Sequence, residues 1–520
     1  MHRGATILVL AASLLLAAPA SVTAMQGRYT NPLVMENAGR LADPTVIRFE
    51  GKYYLYLTGG VSPGGSWGAA VWSSDDLVHW EHHSVSIEGE RGIGAPTAFE
   101  HAGWVYLTGN DRGLFRSRDP LGPFGFYGDF ADEHGHRLES GLHDYCRGCG
   151  DGGVFDAAVF VDDDDRVYLY YAGGGGDGVY GVELDSSDLR RFMGPAEHFF
   201  RFEPSHIWER YGSRNEMSTQ SWIEGPWMTK HDDTYYLQYA APGTEWPTYA
   251  VGVYTSESPL GPFEYYEGSP ILLYDRGLIT GSGHHSVVEG PDGNLWAIYT
   301  LLYRNWNRMF ERRIGMDPVG FDEDGNMFIN GPSETPQWAP GVVAKPWEGN
   351  DSGSIPLSED KVYVVSSEAP GRNAPYALDN NARTWWAPAE DDAEPWLRID
   401  LGGGESQEYL VDSARVLFTL PDGDVEDEYS PNNKGAARFR RYRIEVSADG
   451  ESFTTAVDKT ESQTDNAVEF DEIEPVVCRY VRFTLTGWPK DLPRGVLELT
   501  VFGRPIPDER PIPDERPIPD

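Results

Sequence analysis

The amino-acid sequence predicts an all-β protein in which a five-bladed β-propeller is followed by a β-sandwich. Three observations carry this prediction. One hairpin pattern recurs five times before residue 340, short strands of alternating polarity fill the region from about 355 to 503, and nothing between the hairpins has the period of a long amphipathic helix. The composition agrees, because aromatic residues make up 13% of the chain and 59 glycines are available for turns.

The first 24 residues combine a short basic start, an Ala-rich apolar run and a small-residue V-T-A exit. This pattern is typical of a secretory signal peptide cleaved after Ala24, since the apolar run is too short for a spanning helix. We therefore expect a protein that is free in the periplasm or the medium, without membrane insertion.

The charge balance argues against nucleic acid as a partner. The chain has 42 Lys and Arg against 82 Asp and Glu, for a formal net charge of −40. Binding to nucleic acid depends on clustered cationic side chains that neutralise phosphates. Such acidity fits a solvated, salt-tolerant surface instead.

Three cysteines are too few for a disulfide framework. Cys146 and Cys149 are close enough for a local bridge outside the cell, whereas Cys478 lies alone in a strand-like segment. Loop stabilisation or free thiols fit the Cys146 and Cys149 pair best. A metal site is the alternative, because three histidines lie just upstream: His134, His136 and His143.

Five hairpins make up the repeat. They read ADPTVIRFEGKYYLYLTG, APTAFEHAGWVYLTG, FDAAVFVDDDDRVYLYY, EGPWMTKHDDTYYLQYA and HHSVVEGPDGNLWAIYT. Each has a small or polar lead residue, an apolar strand, a turn of Gly, Asp or Asn, and an aromatic-rich strand. In each hairpin the turn residue lies eight positions after the lead residue. Successive lead residues lie 52, 61, 68 and 61 positions apart. That spacing leaves room for a four-stranded blade per repeat.

The lead residues carry the functional argument. In a propeller the first strand of each blade lines the central axis, so equivalent residues converge there. By the turn count they are Asp43, Ala95, Asp156, Glu224 and His285. Any one acid alone is better explained as a strand or turn cap. Three carboxylates gathered in an apolar ring cost several kcal/mol, so the set favours function.

Three acids at the floor of a pocket suit the hydrolysis of a glycosidic bond. One carboxylic acid protonates the leaving oxygen, and a carboxylate attacks the anomeric carbon or activates a water molecule. A third negative charge near the proton donor raises its pKa and keeps it protonated near neutral pH.

Residues 31 to about 340 resemble glycoside hydrolase family 43. The resemblance rests on the hairpins above together with SSDDLVHWE, SPLGPFEYY, GSGHHSVV and RRIGMDPVGFDEDG, in that order. It implies a five-bladed propeller of inverting glycosidases whose chemistry requires no cofactor. It also implies Asp43 as general base, Glu224 as general acid and Asp156 as the group that raises the pKa of Glu224 and orients it. Inversion predicts that the carboxyls of Asp43 and Glu224 lie about 6.5–9.5 Å apart.

The resemblance also bears on the axis and the last blade. The family's axial Gly-His motif matches Gly283-His284, one residue before the turn-count choice, and we assign His284 because turns gain single residues easily. This implies a water or a structural calcium ion at the axis, with a histidine that only plugs the channel as the alternative. Arg312 matches the last-blade pattern as a contact for substrate or a carboxylate, with Arg313 as the alternative.

Aromatic side chains stack on the apolar faces of sugar rings. Four tryptophans near the motifs are candidates for substrate binding, with core packing as the alternative: Trp222, Trp227, Trp246 and Trp306.

The region after the propeller resembles the coagulation-factor 5/8 type C, or discoidin, domain, similar to carbohydrate-binding module family 32. The segments that carry it are ALDNNARTWWAP, PWLRIDLGG, FRRYRIEVSADGESF, RYVRFTLTG and LELTVFG. It implies sugar binding and a structural calcium, with a spacer role as the alternative. We predict a signal peptide at 1–24, the propeller at 25–340, a linker at 341–354, the sandwich at 355–503 and an extended Pro-rich tail at 504–520.

The sequence therefore predicts a secreted inverting glycosidase that acts on plant or algal polysaccharides or oligosaccharides. The expected specificities are α-L-arabinofuranosidase or β-xylosidase, or galactosidase or galactofuranosidase. One alternative is a carbohydrate-binding propeller without turnover, which has no need of the full acid set. The other is a retaining, invertase-like enzyme, which expects an Asn where this chain has Ala42.

Overall fold

A computed structural model of the 520-residue chain describes residues 27–36, 41–58, 70–89, 93–110, 113–137, 155–306, 309–402, 407–419, 439–464, 466–489 and 494–506. Within these ranges the regular structure is β-strand with three short 3-10 helices, at Gly175–Asp177, Ile207–Glu209 and Ala374–Ala377. No described helix has the length and apolarity needed to cross a membrane.

The first 24 strands form a two-stranded ribbon and five antiparallel sheets, each built from consecutive strands. In chain order they are β1 (Arg28–Tyr29); blade 1, β2 (Ala42–Phe49), β3 (Lys52–Thr58), β4 (Ala70–Ser74) and β5 (Glu81–Ser84); blade 2, β6 (Thr97–His101), β7 (Trp104–Thr108), β8 (Leu114–Ser117) and β9 (Gly125–Gly128); blade 3, β10 (Phe155–Val161), β11 (Val167–Ala172), β12 (Val179–Asp185), β13 (Asp188–Phe192) and β14 (Glu197–Phe200); blade 4, β15 (Glu224–His231), β16 (Thr234–Ala241), β17 (Ala250–Ser256), β18 (Glu264–Tyr265) and β19 (Leu272–Leu273); blade 5, β20 (Thr280–Glu289), β21 (Leu295–Trp306), β22 (Met309–Phe321) and β23 (Met327–Ile329); and β24 (Gln337–Trp338). Strand β1 pairs with β24.

The five sheets close into a ring. The innermost strands β2, β6, β10, β15 and β20 contact one another in succession, and β20 contacts β2. Five separate hydrophobic clusters fill the spaces between neighbouring blades. One of them joins the last blade to the first, packing Trp72 of blade 1 with Trp296 of blade 5. The predicted five-bladed propeller is confirmed, and the radial arrangement leaves each sheet with short, protected edges.

The lead positions share one backbone conformation. Asp43, Ala95, Asp156 and His284 have φ of 54°, 42°, 57° and 41°, in the left-handed region that non-glycine residues rarely adopt. In four blades the ladder between the first two strands also shifts register at this point. In blade 4 the residue with this conformation is Gly225, with φ of 54°.

Two positions from the turn count are therefore off by one. The equivalent residues are His284 rather than His285, and Gly225 rather than Glu224, because single residues are inserted or lost within the strand and turn. The motif-based choice of His284 agrees with the backbone. Glu224 precedes the left-handed position instead of occupying it.

The C-terminal region is a sandwich of two antiparallel sheets, which confirms the predicted fold. Their core contains Trp386, Phe418, Tyr442 and Leu499. The strands are β25 (Ile355–Pro356), β26 (Val362–Val365), β27 (Trp396–Asp400), β28 (Tyr409–Phe418), β29 (Arg441–Ser447), β30 (Thr454–Asp458), β31 (Val468–Cys478), β32 (Tyr480–Gly487) and β33 (Val496–Pro505).

The propeller and the sandwich share a buried contact. The Arg415 side chain, 2% exposed, donates to the backbone oxygens of Asn31 at 2.7 Å and Glu334 at 3.0 Å. Arg28 donates to Asp412 Oδ1 at 2.8 Å, and Leu278 packs in a small apolar cluster with residues of the sandwich. Guanidinium groups that donate to backbone and carboxylate oxygens across the contact make such an interface specific in geometry.

Several predicted features lie outside the described residues: the signal peptide, His143, Cys146, Cys149 and most of the Pro-rich tail. The predicted domain boundaries stay predictions. Within the described part, His136 is exposed and its Nδ1 contacts Asp132 Oδ2 at 3.0 Å. Burial raises the pKa of the free Cys478 thiol to about 12, so it stays protonated.

Candidate active site

Three acids and one histidine meet at one end of the propeller axis. Asp43, Asp156 and Glu224 are 8%, 6% and 8% exposed. Nδ1 of His284 lies 3.3 Å from Asp43 Oδ1 and 3.5 Å from Asp156 Oδ2. The structure thus brings together residues that are up to 241 positions apart, from 43 to 284, in the sequence. A buried cluster of like charges is the arrangement expected of a chemical site.

Asp43 lies in a cationic environment. Nη1 of Arg312 is 3.3 Å from Asp43 Oδ1, and the Asp43 backbone N–H donates to Thr300 Oγ1 at 2.9 Å. Burial by itself would raise the pKa of Asp43, but Arg312, His284 and a hydrogen bond from Thr58 together hold that pKa below its usual value. Asp43 is therefore ionised at neutral pH.

The pKa values of Glu224 and Asp156 are shifted in the opposite direction, upward. Burial, together with the neighbouring charge of Asp156, raises the pKa of Glu224 to about 8. Burial and the charge of Asp43 raise the pKa of Asp156 to about 8. For both carboxyls burial is the largest cause, and the hydrogen bonds and cations that lower the pKa do not offset it. One site therefore holds an ionised carboxylate next to carboxyls that keep protons at neutral pH.

Two hydrogen bonds position the proton-holding carboxyls. The Tyr249 hydroxyl donates to Glu224 Oε1 at 2.7 Å. The backbone N–H of Gly225 donates to Asp156 Oδ2 at 3.1 Å. Because Gly225 directly follows Glu224, Asp156 holds the end of the strand that carries Glu224. The left-handed backbone at Gly225 costs glycine little.

His285 points away from the acids. Its Nε2 contacts Gln238 Oε1 at 3.0 Å, and burial lowers its pKa to about 3, so the ring is neutral. Arg313, the residue after Arg312, is 2% exposed and donates from Nη1 to the Arg312 backbone oxygen at 2.9 Å. Among the contacts described, those with the acid cluster are made by His284 and Arg312.

The candidate tryptophans lie in different places. Trp222 is half-buried beside Gly243, two residues before Glu224. Trp227 is half-buried on β15, where the equivalent residue in blade 1 is Thr45, whose hydroxyl donates to Pro96 O on the next blade. The structure thus places Trp227 on the innermost strand of blade 4. The side chain of Trp306 lies outside the described residues.

Trp246 is half-buried and makes an edge contact with Tyr211, with ring centroids 5.1 Å apart. Tyr211 in turn donates a hydrogen bond to Glu245. This aromatic pair stands at the rim formed by residues 242–249, which also contains Tyr249. A flat apolar face beside polar groups is a surface on which a sugar ring can stack.

Several site residues escaped the sequence reasoning: Thr58, Asn110, Thr244, Tyr249 and Thr300. Asn110 accepts from the Asp156 backbone N–H at 3.1 Å, and Thr244 Oγ1 lies 3.5 Å from Arg312 Nη1. Only Thr58 had a sequence signal, the repeated Y-L-T-G at the end of the second strand of blades 1 and 2. The others lie on loops or second strands whose proximity depends on ring closure.

Within the described ranges no group of three or more His, Cys, Asp or Glu side chains is placed to hold a metal ion. At the axis, one nitrogen of His284 already contacts two carboxylates directly. The structural calcium expected there and in the sandwich stays a prediction.

Comparison with known proteins gives two matching family models. One, described as glycosyl hydrolases family 43, matches residues 29–327. The other, described as a NedA-like, galactose-binding domain, matches residues 376–483. The first match spans more than half of the chain and the whole acid cluster.

Individual relatives are distant. The chain is 26% identical over 310 residues to a β-D-galactofuranosidase of Aspergillus niger, covering 56% of this chain and 82% of that protein. It is 27% identical over 279 residues to an arabinoxylan arabinofuranohydrolase of Bacillus subtilis, covering 45% of this chain and only 50% of that protein. A crystal structure of a thermostable family-43 glycoside hydrolase is 28% identical, with a TM-score of 0.49, and covers 60% of this chain and 99% of that one.

Proposed function

The chain belongs to glycosyl hydrolase family 43, and from that premise we propose that it is a secreted, inverting glycosidase acting on plant or algal polysaccharides. Members of this family hydrolyse O-glycosidic bonds without a cofactor. The names of the relatives support α-L-arabinofuranose, β-D-xylose or galactofuranose as the sugar released. Secretion is motivated by the first 24 residues.

One observation carries the assignment of roles. Two acids of one buried cluster have their pKa values displaced in opposite directions, that of Asp43 downward and that of Glu224 upward to about 8. A general base must be ionised and a general acid must hold a proton at the same pH. When the pKa values of two neighbouring carboxyls differ in this way, the group with the lowered pKa is the base and the group with the raised pKa is the acid.

The proposed reaction follows from these protonation states. Protonated Glu224 gives its proton to the leaving glycosidic oxygen as the C–O bond breaks. Ionised Asp43 takes a proton from a water molecule whose oxygen attacks the anomeric carbon from the opposite face. The product has inverted configuration, and proton exchange with solvent restores both carboxyls.

Asp156 acts as a positioning residue in this scheme. It accepts the Gly225 N–H at 3.1 Å, and its carboxyl adds to burial in raising the pKa of Glu224, because two carboxyls this close resist being ionised together. Arg312 does the converse for Asp43, by stabilising the ionised form. His284 lies between Asp43 and Asp156 and orients both carboxylates.

We propose that the C-terminal sandwich binds carbohydrate. Its support is the match of residues 376–483 to a galactose-binding domain model. A binding module next to a hydrolase raises the effective concentration of polymer at the site.

The stereochemical course tests the proposed function. Nitrophenyl α-L-arabinofuranoside, β-D-xyloside, β-D-galactoside and β-D-galactofuranoside are screened, and the first product anomer from the best substrate is followed by ¹H NMR. We expect inversion. A retained configuration would show that Asp43 acts as a nucleophile, and the proposal would be wrong.

The variant Glu224→Gln separates the roles of the two acids. A nitrophenolate leaves without protonation, so this variant loses much more activity on a xylo- or arabino-oligosaccharide than on the nitrophenyl glycoside. Asp43→Asn loses activity on both, because each reaction needs the activated water. Equal losses for both variants on both substrates would contradict the assignment.

A further inference from the structure

A cavity of about 480 Å³ lies where the propeller meets the sandwich. Its propeller wall comprises residues 213–214, Pro247, residues 275–278, Thr280 and Leu302. Its other wall is the turn 380–383 of the sandwich. The volume falls in the range of ordinary ligand sites in proteins.

The propeller wall belongs to the same end of the propeller as the acid cluster. Residues 213–214 lie in the connection that ends at Glu224, and Thr280 begins β20, which carries His284. Leu302 pairs across the ladder with Arg312, which contacts Asp43. A polysaccharide held in the cavity therefore lies alongside the active site.

The charge of the cavity lining is opposite in sign to the net charge of the chain. The chain has 82 acids against 42 bases, yet the charged residues that line the cavity are Arg214, Arg276, Arg383 and a single Asp275. Asp275 Oδ1 lies 3.4 Å from Arg276 Nε. Arg214 and Arg383 are exposed, and neither guanidinium has a carboxylate within 4.0 Å in the described part of the chain. Unpaired guanidinium groups that face one space recognise a planar anion.

The turn that carries Arg383 is held in place. The Asn380 backbone N–H donates to Glu498 Oε2 at 3.0 Å, and the Thr384 hydroxyl donates to Asp379 Oδ2 at 2.8 Å. Ala382 is 3% exposed and packs in the same apolar cluster as Leu278 of the propeller. The two walls are therefore joined by a buried contact, so the cavity exists before any ligand binds.

We propose that this junction cavity is a second sugar-binding site that takes an acidic sugar, a uronate, carried by the polysaccharide whose neighbouring linkage is cleaved at the acid cluster. The proposal rests on the proposed function for the identity of the polymer. None of the described residues that line the cavity is aromatic, so this lining offers no stacking face for a neutral sugar. The uronate carboxylate lies between Arg214 and Arg383, and Ser213 and Asn381 bind its hydroxyls.

A matched pair of oligosaccharides tests the site. Xylotetraose with and without a glucuronic acid side group is titrated calorimetrically into the full chain carrying Glu224→Gln, which prevents turnover. The acidic oligosaccharide binds about tenfold more tightly than the neutral one, the gain expected of one charge-assisted contact. Its advantage falls as salt is raised, because the arginines are exposed.

Arg383→Ser and Arg214→Ser each remove most of that tenfold preference and leave binding of the neutral oligosaccharide unchanged. Arg191→Ser is the matched control, since it removes the same charge from an exposed position on β13, away from the cavity. Equal binding of both oligosaccharides, or an effect of Arg191→Ser as large as that of Arg383→Ser, would overturn the proposal. Unchanged thermal unfolding of each variant shows that the fold is retained.

The binding test does not depend on turnover. If no glycoside is hydrolysed by the wild type while the acidic oligosaccharide keeps its Arg383-dependent preference, the proposed function fails and the junction site stands. If hydrolysis occurs with inversion but the preference is absent, the junction site fails alone.

Discussion

Replacing Tyr249 by Phe tests the proposed general acid through one hydrogen bond. The Tyr249 hydroxyl donates to Glu224 Oε1 at 2.7 Å, and both side chains are buried. This bond lowers the pKa of Glu224 against the larger effect of burial, because it stabilises the carboxylate more than the neutral acid. Tyr249→Phe removes the donor and keeps the ring.

The magnitude follows from the difference between two kinds of hydrogen bond. A bond to a charged group contributes about 1.5–3 kcal/mol and one between neutral groups about 0.5–1.5 kcal/mol. The ionised form of Glu224 thus loses about 1 to 1.5 kcal/mol more than the protonated form. Since one pKa unit corresponds to about 1.4 kcal/mol, the pKa of Glu224 rises by about one unit from its value of about 8.

The assay is kcat/KM against pH on the best nitrophenyl glycoside and on an oligosaccharide. In the wild type, activity falls as the pH drops through the lowered pKa of Asp43, which must be ionised. On the oligosaccharide, whose leaving oxygen needs a proton, activity falls again as the pH rises through about 8, because Glu224 must be protonated. In Tyr249→Phe the alkaline limb on the oligosaccharide moves up by about one pH unit, and the acid limb stays in place.

Tyr239→Phe is the matched control. Tyr239 is buried in the same blade and donates to Glu209 Oε1 at 2.6 Å, outside the acid cluster. We expect Tyr239→Phe to lower the stability of the fold without moving either limb of the pH profile. An alkaline limb that stays fixed or moves down in Tyr249→Phe would refute Glu224 as the acid whose ionisation sets that limb.

The remaining predictions concern the base, its cation and the domain contact. Asp43→Asn lowers kcat by about 10²–10⁴-fold, measured on the best nitrophenyl glycoside; a kcat close to that of the wild type would contradict its role as the base. Arg312→Met removes the cation 3.3 Å from Asp43 Oδ1, so the pKa of Asp43 rises and the acid limb of the pH profile moves up; a limb that stays in place would contradict this electrostatic role. Arg415→Met leaves the buried backbone oxygens of Asn31 and Glu334 without this donor. We expect the free energy of unfolding, measured by urea denaturation, to fall by about 2–4 kcal/mol. A change below about 0.5 kcal/mol, typical of surface positions, would show that the contact contributes little.

Much of the fold could be read from local pattern. A hairpin can be recognised within about 15 residues from its turn residues and from the alternating polarity of its strands. Five blades and a sandwich could therefore be predicted from residues that are close together in the sequence. The turn count placed Asp43 and Asp156 at equivalent positions, and the backbone shows the same left-handed conformation at both. Where one residue was gained or lost, at His285 and Glu224, counting from the turn missed by one.

The supporting residues of the site were beyond sequence reasoning. Tyr249 lies 25 positions from Glu224, and nothing in the residues around it indicates a contact with an acid. Thr300 and Asn110 come from second strands or their ends in other blades, and their distances to Asp43 and Asp156 depend on how the ring closes. The sequence also could not show that the sandwich packs on the active-site end of the propeller.

By itself the sequence determined the repeat, and with it the convergence of three carboxylates on one axis, because strand period and turn spacing are local properties of the chain. Only the tertiary structure decided how those carboxylates differ. Asp43 lies beside Arg312 and His284, whereas Glu224 and Asp156 are buried with less compensation, so one pKa is lowered and two are raised. Desolvation and charge pairing depend on distances across the ring, which no local pattern specifies.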